Sequence, residues 1–219
     1  MIKAVIFDMD GVLIDSEFLW RRATVKVFNN INISLTIDMC KATMGLRIDE
    51  VVDYWELKYP TKEIKKEKIV TDILQELISL IKTEGKIMEG VDYIIEFFTS
   101  RKIPMAIASS SPTNVINAVL KKILIKDKML VIHSAENESH GKPHPSVYIT
   151  TAEKLGISPS RCLAFEDSLN GVLSAKAAGM KCVAVPRHLS DKDETFNIAD
   201  LIIMSLNHFT LENLKNLEN

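Results

Sequence analysis

The residues best equipped for chemistry stand at the ends of short apolar runs. The run at 2–7 ends in Asp8, with Asp10 two places on; the run at 103–108 ends in Ser109 and Ser110; the run at 161–165 ends in Glu166 and Asp167. Open parallel sheets bind ligands outside the carboxyl ends of their strands, so these carboxylates and hydroxyls would converge on one edge. Such a cluster is costly unless a cation neutralises it. Its oxygen ligands suit Mg²⁺, which binds through one or two carboxylates plus waters and substrate phosphate. A carboxylate beside a divalent cation can attack phosphorus and form an aspartyl-phosphate. A second carboxylate two residues on can protonate the leaving oxygen and then activate water. A lysine is expected to balance charge on a transferring phosphoryl group. Lys142 is the candidate, in a turn stiffened by Pro143 and Pro145.

The elements that must position these groups are legible as alternating patterns. Apolar runs at 2–7, 103–108, 129–132, 161–165, 181–185 and 200–203 are too short for helices and read as buried strands. Between them, 91–101, 113–122, 145–155 and 169–178 carry apolar residues at three- and four-residue spacing. Pro112 and Pro145 stand near helix starts, and Gly156 and Gly179 near helix ends. Strands alternating with helices predict βαβ units and a parallel sheet. Residues 17–88 break the rhythm, with helical stretches at 17–30, 47–58 and 63–83 and a mixed-charge segment at 61–68 that reads as a solvated helix face. The expected fold is α/β: a Rossmann-like core formed by 1–15 and 89–219, with a helical domain inserted at 16–88.

Composition limits the partners. The 219 residues carry 27 Lys+Arg against 29 Asp+Glu, a formal charge of −2, with 47% hydrophobic and 26% charged residues. Disordered, collagenous and coiled-coil classes are excluded. Nucleic acid is not expected as a partner, because that requires a strongly basic surface. A small anionic substrate needs only a local positive site. Cys40, Cys162 and Cys182 are odd in number and lack metal-like spacing, which fits buried thiols in a reducing compartment. The five histidines, His133, His140, His144, His188 and His208, also lack metal spacing. No signal-like segment or span-length apolar stretch is seen, so a cytoplasmic protein without a membrane partner is expected.

Four segments together resemble one family. Asp8-Met9-Asp10-Gly11-Val12-Leu13-Ile14-Asp15-Ser16-Glu17, Ala108-Ser109, Gly141-Lys142-Pro143, and Glu166-Asp167-Ser168-Leu169-Asn170-Gly171 resemble, in order, the four motifs of the haloacid dehalogenase-like phosphohydrolases. The insert after the first motif is similar to the helical cap of the β-phosphoglucomutase-like branch. The resemblance implies Asp8 as nucleophile and Mg²⁺ ligand. Asp10 would be the general acid/base, with its backbone carbonyl on the metal. Ser109 would bind phosphoryl oxygens, with Ser110 nearby, and Lys142 would pair with phosphate and Asp8. Asp167 would complete the metal site, supported by Glu166 directly or through water. Gly11 would allow the turn out to the cap. Family dehalogenases lack an acid at the position of Asp10, so its presence favours phosphoryl transfer.

Within the branch, Asp15-Ser16-Glu17 with Leu19-Trp20, and Gly45-Leu46-Arg47-Ile48-Asp49, resemble bacterial hexitol and 2-deoxyglucose 6-phosphate phosphatases. Arg47 would engage sugar hydroxyls or a distal anion; a plain surface arginine is the competing reading. Trp20 stands where β-phosphoglucomutases usually carry a cap histidine, which favours a phosphatase over a mutase. The resemblance thus implies a monomeric, Mg²⁺-dependent phosphatase of small sugar or sugar-alcohol phosphates. Alternatives are a hexose phosphate mutase, a nucleotide or phosphoglycolate phosphatase, and a binding module that retains the fold. The last is disfavoured because every catalytic position holds a competent residue.

Overall fold

The computed structural model describes residues 1–60, 65–187 and 195–219. β1 (Ala4–Phe7) is buried throughout and lies between β4 (Met105–Ser109) and β6 (Cys162–Glu166). The six-stranded sheet continues through β5 (Met129–Ser134) beyond β4, and through β7 (Lys181–Ala184) and β8 (Leu201–Ile202) beyond β6. All its pairings are parallel. Phe7 lies opposite both Ile107 and Phe165, so Asp8, Ser109 and Glu166 reach the same sheet edge from three adjacent strands. The chain moves to one side of β1 for β4 and β5, then crosses to the other for β6. This reversal creates the crevice where α/β sheets bind ligands.

The two sheet faces are packed differently. Val5, Phe7, Leu163, Phe165 and Val183 face α4 (Val91–Ser100), α5 (Thr113–Ile123) and α8 (Leu211–Glu218) in one core. There Phe165 is 5.2 Å from Phe7 and 5.1 Å from Phe209, centroid to centroid. The opposite face is lined by Ala4, Ala106, Ala108, Ala164 and Ala184. These small side chains let α6 (Ser146–Leu155) and α7 (Leu169–Ala177) approach the strands, with Tyr148 fully buried between.

Between β1 and β4 the chain leaves the sheet through β2 (Ile14–Asp15) and returns through β3 (Lys86–Ile87), paired antiparallel. The segment between them forms α1 (Glu17–Asn30), α2 (Ile48–Lys58) and α3 (Lys66–Glu84). Ile69, Ile73, Leu77, Leu80 and Ile81 make a buried stripe on α3 at helical spacing, and α3 packs on α1, α2 and α5. The expected helices are found with small shifts at their ends. The first residues of the 63–83 helix and of the 61–68 charged face, and His188, lie outside the described residues. The ribbon of β2 and β3 and the helix α8 were not anticipated, because two-residue strands and a two-turn helix offer too little periodicity. The three cysteines are free and buried. Among the described residues no helix is long and apolar enough to cross a membrane.

Candidate active site

Lys142 organises the strand ends. Its loop precedes α6, and its side chain is buried. Nζ donates to Asp8 Oδ1 at 2.6 Å, Glu166 Oε1 at 2.6 Å and the Ala108 carbonyl at 3.3 Å. An ammonium has three donors, and all three are used. Burial works against its charge, but the Asp8 and Glu166 carboxylates outweigh this and raise its pKa above the usual lysine range. Lys142 therefore stays cationic.

Glu166 is fully buried, and both its oxygens are occupied by protein donors. Oε1 accepts from Lys142 and, at 2.7 Å, from the Tyr148 hydroxyl. Oε2 accepts from the Asp167 amide at 3.1 Å and from Ser168 N and Oγ at 3.4 and 3.3 Å. This geometry needs Gly171 on α7, where a Cβ would stand 1.9 Å from the Glu166 carboxyl carbon. Gly11 is equally constrained. Its φ is +82°, and a Cβ there would lie 1.9 Å from Asp167 Oδ2.

Asp8, Glu166 and Asp167 bring one carboxylate oxygen each within 4.8 Å of one another. Burial, then the neighbouring charges of Glu166 and Asp10, push Asp8 up to about 8, although Lys142 pulls against them. Asp167 is raised well above the ordinary range by burial and by the Asp8, Glu166 and Glu17 charges. Three hard oxygen donors crowded beside a single lysine resist ionising together, and a hard divalent cation would relieve that crowding. The family match below implies such a metal in general terms.

Asp10 points toward the insert. Its Oδ1 accepts from the Ser16 hydroxyl at 2.5 Å and from Trp20 Nε1 at 3.0 Å, and its Oδ2 accepts from the Ser111 hydroxyl at 2.6 Å. Ser109 is fully buried, and its Oγ accepts from the Ser111 amide at 3.0 Å. Ser110 and Ser111 line the cleft, and Ser110 Oγ donates to the Gly45 carbonyl at 3.2 Å. Arg47 does not line the cleft. Its Nη1 donates to the carbonyls of Ala135 and Glu138 at 3.2 and 2.7 Å, and its Nη2 pairs with Asp49 at 2.9 Å.

The structure thus brings Asp8, Asp10, Ser110, Lys142 and Asp167 onto one cleft, with Glu166 and Ser109 just behind it and Arg47 outside. Ser111, Tyr148 and Trp20 as a hydrogen-bond donor escaped sequence reasoning. A run of three serines gives no reason to choose Ser111. A tryptophan at helical spacing reads first as packing. The insert closes the cleft with Trp20, Thr24, Thr43, Leu46 and Val51, and with Glu17 paired to Arg21.

This arrangement of strand-end carboxylates around a buried lysine is accompanied by a family match. The model for haloacid dehalogenase-like hydrolases matches residues 5–185. The chain belongs to this family and is an enzyme of its phosphatase kind. It is similar to hexitol phosphatase B of Escherichia coli K12, at 36% identity over 97% of this chain and 96% of that protein. It is also similar to a phosphorylated carbohydrates phosphatase of Thermotoga maritima, at 31% identity over 82% of this chain and 83% of that one. Among solved structures, a β-phosphoglucomutase of Clostridium difficile superposes with a TM-score of 0.84 at 26% identity, covering 98% of this chain and 96% of that one.

Proposed function

We propose that the chain hydrolyses phosphomonoesters of small sugars or sugar alcohols through a phospho-Asp8 intermediate. The observation that carries this reading is the buried Asp8 carboxylate held by Lys142 on a cleft that Asp10, two residues on and fixed by Ser16, Trp20 and Ser111, also lines. Asp8 attacks phosphorus, the bond to the substrate oxygen breaks, and Asp10 gives that oxygen a proton. Asp10 then takes a proton from water, whose oxygen attacks phosphorus, and the bond to Asp8 breaks to release inorganic phosphate. Lys142 offsets charge on the phosphoryl oxygens, and Ser110 with the Ser109–Ser111 turn receives them. Ser16, Trp20 and Ser111 fix the Asp10 carboxyl for both proton transfers.

Asp8 and Asp167 would hold Mg²⁺ with the Asp10 backbone carbonyl, and Glu166 would support them through Lys142 and the 166–168 turn. When bound, the cation neutralises the crowded carboxylates and the phosphoryl charge. The insert at 16–88 acts as a cap that excludes bulk water from the cleft. The sugar substrate class rests on the relatives named above.

The test is phosphate release from hexitol, hexose, nucleotide and glycolate phosphates, with Mg²⁺, with EDTA, and with Asp8→Asn. Metal-dependent release by the wild type alone, strongest on hexitol or hexose 6-phosphates, is expected. Release strongest on nucleotides would overturn the substrate class. Interconversion of hexose phosphates, stimulated by a bisphosphate, would put the mutase in its place.

A further inference from the structure

The insert wall of the cleft contains an ion pair that the reaction above does not use. Glu17, in the first turn of α1, pairs with Arg21 one turn on, and each side chain is only 17% exposed. Both line the cleft with Asp8, Asp10, Lys142 and Asp167. Arg21 Nε is buried and has no hydrogen-bond partner. That Nε is enclosed by protein, so Arg21 meets the cleft with the rest of its side chain, beside the Glu17 carboxylate. Beside the pair, Trp20, Leu46 and Val51 present apolar surface to the same space.

The charges decide what kind of ligand fits. Among the described residues lining the cleft, Lys142 and Arg21 are the only Lys or Arg side chains. Lys142 is committed to Asp8 and Glu166, and Arg21 is already neutralised by Glu17. A second phosphate at the insert end would therefore meet no uncompensated positive charge, and it would lie against the Glu17 carboxylate. A hydroxyl meets no such penalty. It can donate to a Glu17 oxygen and accept from the accessible part of the Arg21 guanidinium, while its carbon chain lies on the apolar wall.

Building on the phosphatase reading above, we propose that the Glu17–Arg21 pair is the specificity element of this site. It selects monophosphates with a neutral, hydroxyl-bearing tail and rejects bisphosphates. Rejection comes from placing a fixed negative charge against the wrong substrate, and selection from a hydroxyl that can both donate to and accept from the pair. The pair touches the tail and not the transferring group, so its effect falls on KM.

The test compares sorbitol 6-phosphate, fructose 1,6-bisphosphate and p-nitrophenyl phosphate as substrates of the full chain with Mg²⁺. The wild type should prefer sorbitol 6-phosphate to the bisphosphate. Glu17→Gln, nearly isosteric, should shrink that preference about tenfold by lowering KM for the bisphosphate. Arg21→Gln should raise KM for sorbitol 6-phosphate about tenfold with little change in kcat, Arg21→Lys should recover part of it, and p-nitrophenyl phosphate, which has no hydroxyl tail, should show a much smaller change in KM. If both Gln variants keep the wild-type preference within about twofold, the pair does not read the tail and the inference falls while the phosphatase reading stands. If the wild type releases phosphate from none of the three, the phosphatase reading falls and takes the inference with it. Should Arg21→Gln fail to fold, Glu17→Gln alone decides, since loss of selectivity against the bisphosphate requires only that variant.

Discussion

On the core wall of the cleft, Lys142 has an acceptor for each of its three N–H groups and Glu166 has donors on both oxygens. On the insert wall, a single ion pair, Glu17 with Arg21, lines the cleft beside Trp20, Leu46 and Val51. The core wall is rigid by satisfaction. Its carboxylates and lysine are held by one another, by Tyr148 and by the 166–168 turn, so reacting atoms meet groups already in place. The insert wall carries one ion pair and the hydroxyls of Thr24 and Thr43 among apolar side chains, and none of these is tied into the core network. The chemistry lies in the closed network and selectivity in the open one.

The strongest way to break this contrast is to open the core network. Lys142→Met leaves Asp8 and Glu166 buried without their cation. Removing one partner of a buried ion pair costs about 3–5 kcal/mol, and for a chain of this size that corresponds to a fall in Tm of about 10 °C. Phosphate release should fall at least about 10³-fold on every substrate. A Lys142→Met protein with wild-type Tm in a calorimetric scan would show that the network does not hold the core wall.

The next test uses pH and metal. Asp8 is raised from 3.8 to about 8, so between those values the metal-free folded chain binds a proton that the unfolded chain has released. Stability of the metal-free protein should therefore fall as pH rises from 5 to 8, and the raised Asp167 acts in the same direction. Mg²⁺ favours the ionised carboxylates, so it should raise Tm more at pH 8 than at pH 5 and flatten the profile. Asp8→Asn should flatten the metal-free profile without any metal. Parallel Tm profiles with and without Mg²⁺ would contradict this electrostatic account.

Smaller effects separate two arginines of the insert, Arg47 and Arg21. Arg47 ties the start of α2 to the carbonyls of Ala135 and Glu138 and touches no cleft surface. Arg47→Ala loses charged hydrogen bonds, of which each contributes about 1–2 kcal/mol. It should lower kcat/KM about tenfold, by the same factor for every substrate, unlike the tail-dependent loss expected for Arg21. Trp20→Phe keeps the ring and removes one of three donors to Asp10. It should lower kcat about fivefold, with KM nearly unchanged. A kcat within about twofold of the wild type's would show that the Trp20 donor does not position Asp10.

Much of the core wall was legible in the sequence, because Asp8, Ser109 and Glu166 each end or directly follow a buried strand and the strand run announces them. Asp8, Ser109 and Glu166 follow from that rule, and the proline-bounded turn singles out Lys142. The support behind them was not legible. Tyr148 reaches Glu166 only because an alanine-lined sheet face lets α6 approach, and Ser111 meets Asp10 only because the 109–111 turn curls back. The insert wall was least legible. Arg47, the residue whose motif drew attention, is spent on backbone carbonyls, whereas Arg21 and Glu17 look in sequence like an ordinary i, i+4 surface pair. Only the three-dimensional course of α1 over the strand ends turns that pair inward.

In this mechanism Asp8 carries the phosphoryl group between the two half-reactions. The most direct measurement is an acid quench of the wild type turning over sorbitol 6-phosphate with Mg²⁺, followed by peptide mass spectrometry. The account predicts one added phosphoryl group on the peptide containing Asp8, absent in Asp8→Asn together with phosphate release. Phosphate release by Asp8→Asn at the wild-type rate, or a phosphoryl group trapped on another residue, would contradict it.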